Sequence, residues 1–287
     1  MSTRGWLRGC SGLVGLVVLA LAQTQRLAAQ VCRPPASSNE AKTFAIFSVP
    51  LAFGPVDAPE LHPRFQVGLE AAYLPKIAPA TATPTICQPG KGPESTDLLF
   101  AVPRPRIGIP LPLGLALEAS WIPPVRVAGV KANLFGVSLA KPFELWSLIG
   151  SVRAHSTFGS IRAPITCDQA ALSDKSSECF NGKLSDDRFS PNIFGADLSL
   201  GKSIFDGRLR PYVGGGYNRL EPRLQVNFTN QSGFVDHTRV VVNLDRLALF
   251  GGATWQMDSR FAASTEVYAT PADAVTVRLA LRATIGP

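Results

Sequence analysis

The chain has 287 residues, 46% of them hydrophobic and 17% charged, with a formal net charge of +7, 25 glycines, 24 prolines and five cysteines. That length allows one large domain or two small ones, and the low charged fraction with a mean hydropathy of +0.14 excludes an intrinsically disordered chain. Beyond residue 30 no apolar run approaches the roughly 18 residues a transmembrane helix needs, and long helical patterns are missing. Short apolar stretches broken by Gly and Pro favour an all-β chain.

Residues 1–30 have the form of an export signal: Arg4 and Arg8 precede the apolar stretch Leu13–Ala22, and cleavage is expected after Ala22 or after Ala29. Export removes Cys10 and leaves Cys32, Cys87, Cys167 and Cys179 in an oxidising compartment, where an even number predicts disulfides. The pair Cys167–Cys179 is favoured, because both flank one polar segment without apolar periodicity. Without a Cys-x-x-Cys, and with His62, His155 and His237 far apart, no metal site is expected, nor any cofactor. Residues 31–63 are expected to form a periplasmic or plug segment. Their stretch 42–55 (KTFAIFSVPLAFGP) suits an extra strand or a plug inside a barrel, and a Cys32–Cys87 bridge would favour the plug.

From residue 64 onward the apolar period is two. Phe65, Val67, Leu69, Ala71 and Tyr73 alternate with Gln66, Gly68 and Glu70. Leu113, Leu115, Leu117, Ala119 and Trp121 alternate with Glu118 and Ser120. Val275, Val277, Leu279, Leu281, Ala283 and Ile285 alternate with Thr276, Arg278, Arg282 and Thr284. Such strands have one apolar and one polar face. Segments of about ten residues suit a tilted membrane span. Aromatic residues near their ends suit interfacial girdles, and tight connections alternating with long polar ones suit short periplasmic turns and long outer loops. Strands are expected near 64–74, 104–110, 113–122, 125–140, 144–162, 189–205, 208–228, 238–257, 260–269 and 275–285, with tight turns at Lys141–Glu144 and at Phe205–Arg208 and a bulge at Gly129. The pair 208–228 and 238–257 is expected to project beyond the outer leaflet.

On these features the chain resembles the small, monomeric bacterial outer-membrane β-barrels over residues 60–285. Many of those end in an aromatic residue, whereas this sequence ends Thr284-Ile285-Gly286-Pro287. The resemblance implies a closed antiparallel transmembrane barrel of about ten strands (8–12) over residues 64–287, in outer-membrane lipid, acting as a monomer.

With apolar residues facing lipid, parity assigns the lumen Arg64, Glu70, Arg104, Arg106, Glu118, Lys131, Arg153, His155, Asp197, Arg208, Arg210, Arg246, Glu266, Arg278 and Arg282. Basic residues outnumber acidic ones about two to one, so unpaired arginines would favour anions in a narrow pore. Complete Arg–Glu pairing would instead close the lumen and leave a structural or surface-interaction barrel. A membrane-embedded lipid enzyme is a third reading. His155-Ser156-Thr157 invites it, but neighbours on a strand point to opposite faces, and no Gly-x-Ser-x-Gly elbow occurs, so no catalysis is expected. Gly214–Gly216 lies inside a strand and is no phosphate loop, and the dispersed basic residues carry no nucleic-acid motif.

Overall fold

A computed structural model describes residues 30–97 and 99–286. The export signal and its two cleavage sites lie outside the described residues. Ten long strands form the wall: β1 (Gln66–Tyr73), β2 (Ala101–Leu111), β3 (Leu115–Ile122), β4 (Val130–Leu145), β5 (Leu148–Ala163), β6 (Ile193–Gly201), β7 (Leu209–Leu220), β8 (Leu244–Gln256), β9 (Phe261–Thr270) and β10 (Ala274–Thr284). Each pairs antiparallel with its neighbours in chain order. The ring closes where β10 meets β1, with Leu279 opposite Ala71 and Leu281 opposite Leu69. A closed ring has no edge strands and leaves its backbone groups paired, which a membrane requires.

The period of two sets the two faces. On β10, Leu279 and Leu281 are 57% and 60% exposed while Arg278 is 0% exposed. The same alternation turns Val67, Leu69, Val137, Leu139, Val152, Leu198, Val213, Leu247 and Leu249 outward. Trp121, Phe135 and Phe158 stack in a row on the outside near the long-loop end, and Trp146, Trp255 and Phe261 stand outward near the other end. No helix among the described residues is long and apolar enough to cross a membrane.

At one end the connections are short: Pro112–Gly114, Trp146–Ser147, the turn through Phe205–Gly207, and 257–260. At the other they are mostly long (74–100, 164–192 and 221–243), which by the usual asymmetry is the outer side. Three expectations change here. The tight turn falls at Trp146–Ser147, and Lys141–Glu144 belong to β4. Gly129 is no bulge: Val127 pairs with Val130, and Ala128 and Gly129, both at positive φ, form a two-residue hairpin turn. The long outer pair is interrupted. β7 ends at Leu220 and β8 begins at Leu244, and above them the short strands Asp187–Ser190, Arg223–Gln225 and Arg239–Val241 continue the wall beyond the barrel.

The N-terminal stretch forms no barrel strand. Val31–Cys32 pairs parallel with Arg239–Val241. Helix α1 (Asn39–Ser48) follows, started by Ser38, whose hydroxyl accepts from Ala41 N, with Glu40 in the first turn. A 3₁₀ turn, Val49–Leu51, carries the chain onward to a segment running inside the barrel as far as residue 60, and residues 61–65 link it to β1. Two disulfides, Cys32–Cys87 and Cys167–Cys179, brace the long-loop end.

Candidate functional site

The lumen holds the densest charge chemistry of the molecule. β1 supplies Glu70, β2 Arg104 and Arg106, β3 Glu118, β5 Arg153 and His155, β6 Asp197, β9 Glu266, and β10 Arg278 and Arg282; alternation on each strand brings them inward. Arg106 bridges Glu70 and Glu118, each at 2.7 Å. Arg153 holds Asp197 at 2.8 Å, with His155 Nε2 3.5 Å from the same carboxylate. Arg278 pairs with Glu266 at 3.2 Å, lies 3.9 Å from Glu70, and stacks 4.0 Å over the Tyr268 ring. Tyr212 donates its hydroxyl proton to Glu266 at 3.1 Å.

The N-terminal segment is threaded through this network. The carbonyls that a helix leaves unpaired at its C-terminal end are met by wall side chains. Arg278 Nη2 donates to the carbonyls of Val49 (3.2 Å) and Ala52 (2.9 Å). Arg104 donates to Leu51 (3.0 Å), as does the Thr157 hydroxyl (3.0 Å), and Arg106 donates to Gly54 (3.1 Å). The negative end of the helix dipole thus faces two arginines. Phe53 is wholly buried, with the Arg106 guanidinium 4.2 Å from its ring centre and Arg104 at 5.5 Å. Gly54 is the one residue small enough for its place, since a Cβ there would overlap the Arg278 guanidinium. Further along, Val56 N donates to Glu266 (3.2 Å) and Ala58 N to Thr254 (2.9 Å). At the short-turn end Glu60 meets Arg282 at 2.6 Å and Arg210 at 2.9 Å, and Asp57 lies 3.6 Å from Arg282.

Among the described residues the wall places six arginines in the lumen (104, 106, 153, 210, 278 and 282) against four carboxylates (Glu70, Glu118, Asp197 and Glu266). Asp57 and Glu60 of the threaded segment bring the count to six against six. Beside this seat a cavity of about 80 Å³ opens towards the short-turn end, lined by Glu118, Arg153, Asp197 and Arg282. Past it, Phe53, Glu70, Glu266 and Arg278 are wholly buried.

Four residues assigned to the lumen by parity stand elsewhere. Lys131 is exposed on the outer surface beyond the aromatic row, paired in register with Arg162. Its strand projects past the hydrocarbon layer, where an outward cation carries no lipid penalty. Arg208 is exposed in the short turn before β7. Arg64 lies before β1 at the mouth, partly exposed and 3.9 Å from Glu60. Arg246 faces the inner side only at the outer rim, where it binds Asp273 at 2.6 Å. Parity could not find the plug's own contributions, Phe53, Asp57 and Glu60, because they lie outside any strand. Ser156 is on the opposite face of β5 from His155, in the row of Val152, Ala154 and Phe158.

The long-loop end is packed as well. Glu40 of α1 accepts the backbone N–H groups of Thr85 (3.0 Å), Ile86 (2.7 Å) and Cys87 (2.8 Å). Burial works against its charge, and these hydrogen bonds keep its carboxyl below the usual value. Phe44 and Phe47 pack on Phe189, and the apolar gap beside them measures only about 30 Å³.

No family model and no curated protein matches the chain. Among solved structures, the attachment invasion locus protein Ail of Yersinia pestis matches at 10% identity and a TM-score of 0.34, over 79% of this chain and 98% of its own. The KdgM porin matches at 8% identity and a TM-score of 0.31, over 77% and 99%. The toluene transporter TodX of P. putida matches at 12% identity and a TM-score of 0.31, over 88% and 70%. The closed ten-strand wall, apolar outside and charged inside, is that of a membrane-spanning β-barrel.

Proposed function

We propose that the protein is a monomeric, non-conducting outer-membrane barrel whose working surface is its braced long-loop end, and that it carries no catalytic site. The observation behind this reading is the threaded segment 49–60. It fills the lumen, accepts hydrogen bonds from Arg104, Arg106 and Arg278, pairs with Arg210 and Arg282, and is fixed at both ends. On the outer side it continues into α1 and the Cys32–Cys87 bridge, and at the short-turn end it runs directly into β1. A segment held at both ends cannot swing out as a unit. A narrow pore for small anionic or polar solutes is the competing reading, and it needs this segment to shift aside within the barrel. Planar-bilayer recording of the purified protein decides between them. No discrete conductance steps are expected, and a stable open channel in the disulfide-intact protein overturns the proposal.

A further inference from the structure

Outside the barrel, a single row of residues crosses six strands at the long-loop end. Arg126 is directly opposite Lys131, Lys131 opposite Arg162, Arg162 opposite Arg188, Arg188 opposite Gln225, and Gln225 opposite Arg239. Their chain neighbours Val130, Ala163, Phe189, Leu224 and Val240 are buried in the core, so alternation turns the row to the exterior, where all five cations are exposed. At about 4.8 Å per strand the row spans about 24 Å.

Like charges directly opposite one another repel and destabilise a sheet. Here the compensation among the described residues is one carboxylate: Asp186, 3.0 Å from Arg162 and 3.8 Å from Arg126. Lys131 and Arg188 have no ion pair among the described residues, and Arg239 has only the Gln225 amide oxygen at 3.2 Å. The height of the row identifies what could neutralise it. Lys131 and Arg162 lie four residues beyond Phe135 and Phe158 on the same strands and the same face. That is about 13 Å along the strand, or about 10 Å along the barrel axis at a tilt of ~40°. The stacked aromatics mark the edge of the hydrocarbon, so the cations stand at headgroup level.

We infer that this row is a docking surface for multiply phosphorylated lipid headgroups of the surrounding outer leaflet. Five cations against one carboxylate leave a net charge of four, which calls for two or more phosphates, whereas a zwitterionic headgroup brings no net charge. The guanidinium groups offer paired N–H donors matched to phosphate oxygens.

The test is native mass spectrometry of the intact, disulfide-bonded protein in detergent, titrated with diphosphoryl lipid A or with phosphatidylcholine. Lipid A is expected to bind selectively, with an affinity that falls as salt rises. The variant K131Q/R162Q/R188Q, whose residues lie outside the lumen, is expected to bind lipid A roughly a hundredfold more weakly. Its folding is checked by the mobility difference between unheated and boiled samples, and R162K/R188K, which keeps the charges, is expected to retain most of the binding. Equal binding of the two lipids overturns the inference, as does an unchanged affinity in the triple glutamine variant. Displacement of lipid A by an equimolar amount of inorganic pyrophosphate would mark the row as a site for soluble anions and overturns it too.

Discussion

The N-terminal segment is held by two different kinds of chemistry along its length. Over residues 39–48 it is an amphipathic helix: Ala41, Phe44 and Ala45 are buried against Phe189 and its neighbours, and a disulfide ties the chain just before it to the first outer loop. Over 49–60 it is an irregular chain whose backbone carbonyls and two carboxylates answer arginines of the wall. The outer half is a mainly hydrophobic dock, capped by the Glu40 carboxylate on the backbone of the first outer loop. The inner half completes an electrostatic network that the wall alone leaves two charges short. Each half therefore fails under different conditions.

The largest effect is expected at the inner half. Arg278→Ala removes the partner of Glu266 and Glu70 together with the donor to two carbonyls, all of them buried. Breaking such a buried network by deleting one partner costs about 3–5 kcal/mol. Urea titration should show that loss, and bilayer recordings of the variant should show flickering conductance. At the outer half, the pair Cys32→Ser and Cys87→Ser releases a bridge spanning 55 residues, against 12 for Cys167–Cys179. Loop-closure entropy puts the first at about 4 and the second at about 3 kcal/mol. The sharper contrast is functional. Opening Cys32–Cys87 frees one anchor of the plug and should admit conductance bursts, whereas opening Cys167–Cys179 should destabilise its loop and leave the lumen silent.

How much of this was legible follows from the same division. Wherever a strand lies in lipid, period two decides the faces, because Arg near the bilayer midplane on the lipid side costs about 2–4 kcal/mol. That is why Arg278 and Arg282 could be assigned against Leu279 and Leu281 from sequence. The rule lapses where strands leave the hydrocarbon: Lys131 shares the outward parity of Val137 and Leu139, and at that height nothing penalises it. It has no hold on the plug, whose contacts are backbone carbonyls. Two signals were nevertheless present. Ser38 ahead of Glu40 and the apolar Phe44 and Phe47 mark a helix start. Asp57 and Glu60 are the only acids between Glu40 and Glu70, in a chain whose lumen positions carry twice as many bases as acids.

At the outer dock, pH should matter through Glu94. Burial, only partly offset by Lys91 at 2.7 Å and reinforced by Asp187 and Glu178 nearby, pushes its carboxyl up to about 7, and Glu94 Oε2 has no hydrogen-bond partner among the described residues. A folded pKa above the unfolded one means that the folded loop keeps a proton the unfolded chain gives up. Stability is therefore lost as pH rises from about 4.5 to about 7 and stays low above that, by up to about 3 kcal/mol. The protection factors of residues 82–97 in hydrogen exchange, corrected for the base-catalysed intrinsic rate, should be higher at pH 5 than at pH 8, and Glu94→Gln should abolish the difference. An unchanged pH dependence in that variant would remove Glu94 as its source.

The inner seat is held by charge at the short-turn mouth, where Glu60 meets both Arg282 and Arg210. Asp57→Asn with Glu60→Gln removes both charges permanently at constant shape. Arg210 and Arg282 then lose their charged partners at a half-open mouth, a cost of about 2 kcal/mol. The change in charge is more diagnostic than the change in stability. The lumen passes from six arginines against six carboxylates to six against four, with the neutralised segment still in place and its Leu51, Ala52 and Gly54 carbonyls still bound by Arg104, Arg278 and Arg106. If the segment only fills space, this variant should stay electrically silent. If it closes the barrel chiefly by neutralising it, the variant should show small openings that prefer anions, because the uncompensated Arg282 faces the cavity beside Glu118 and Asp197. The anion-to-cation permeability ratio of any such openings separates the two outcomes, and openings that prefer cations would contradict the charge balance on which both rest.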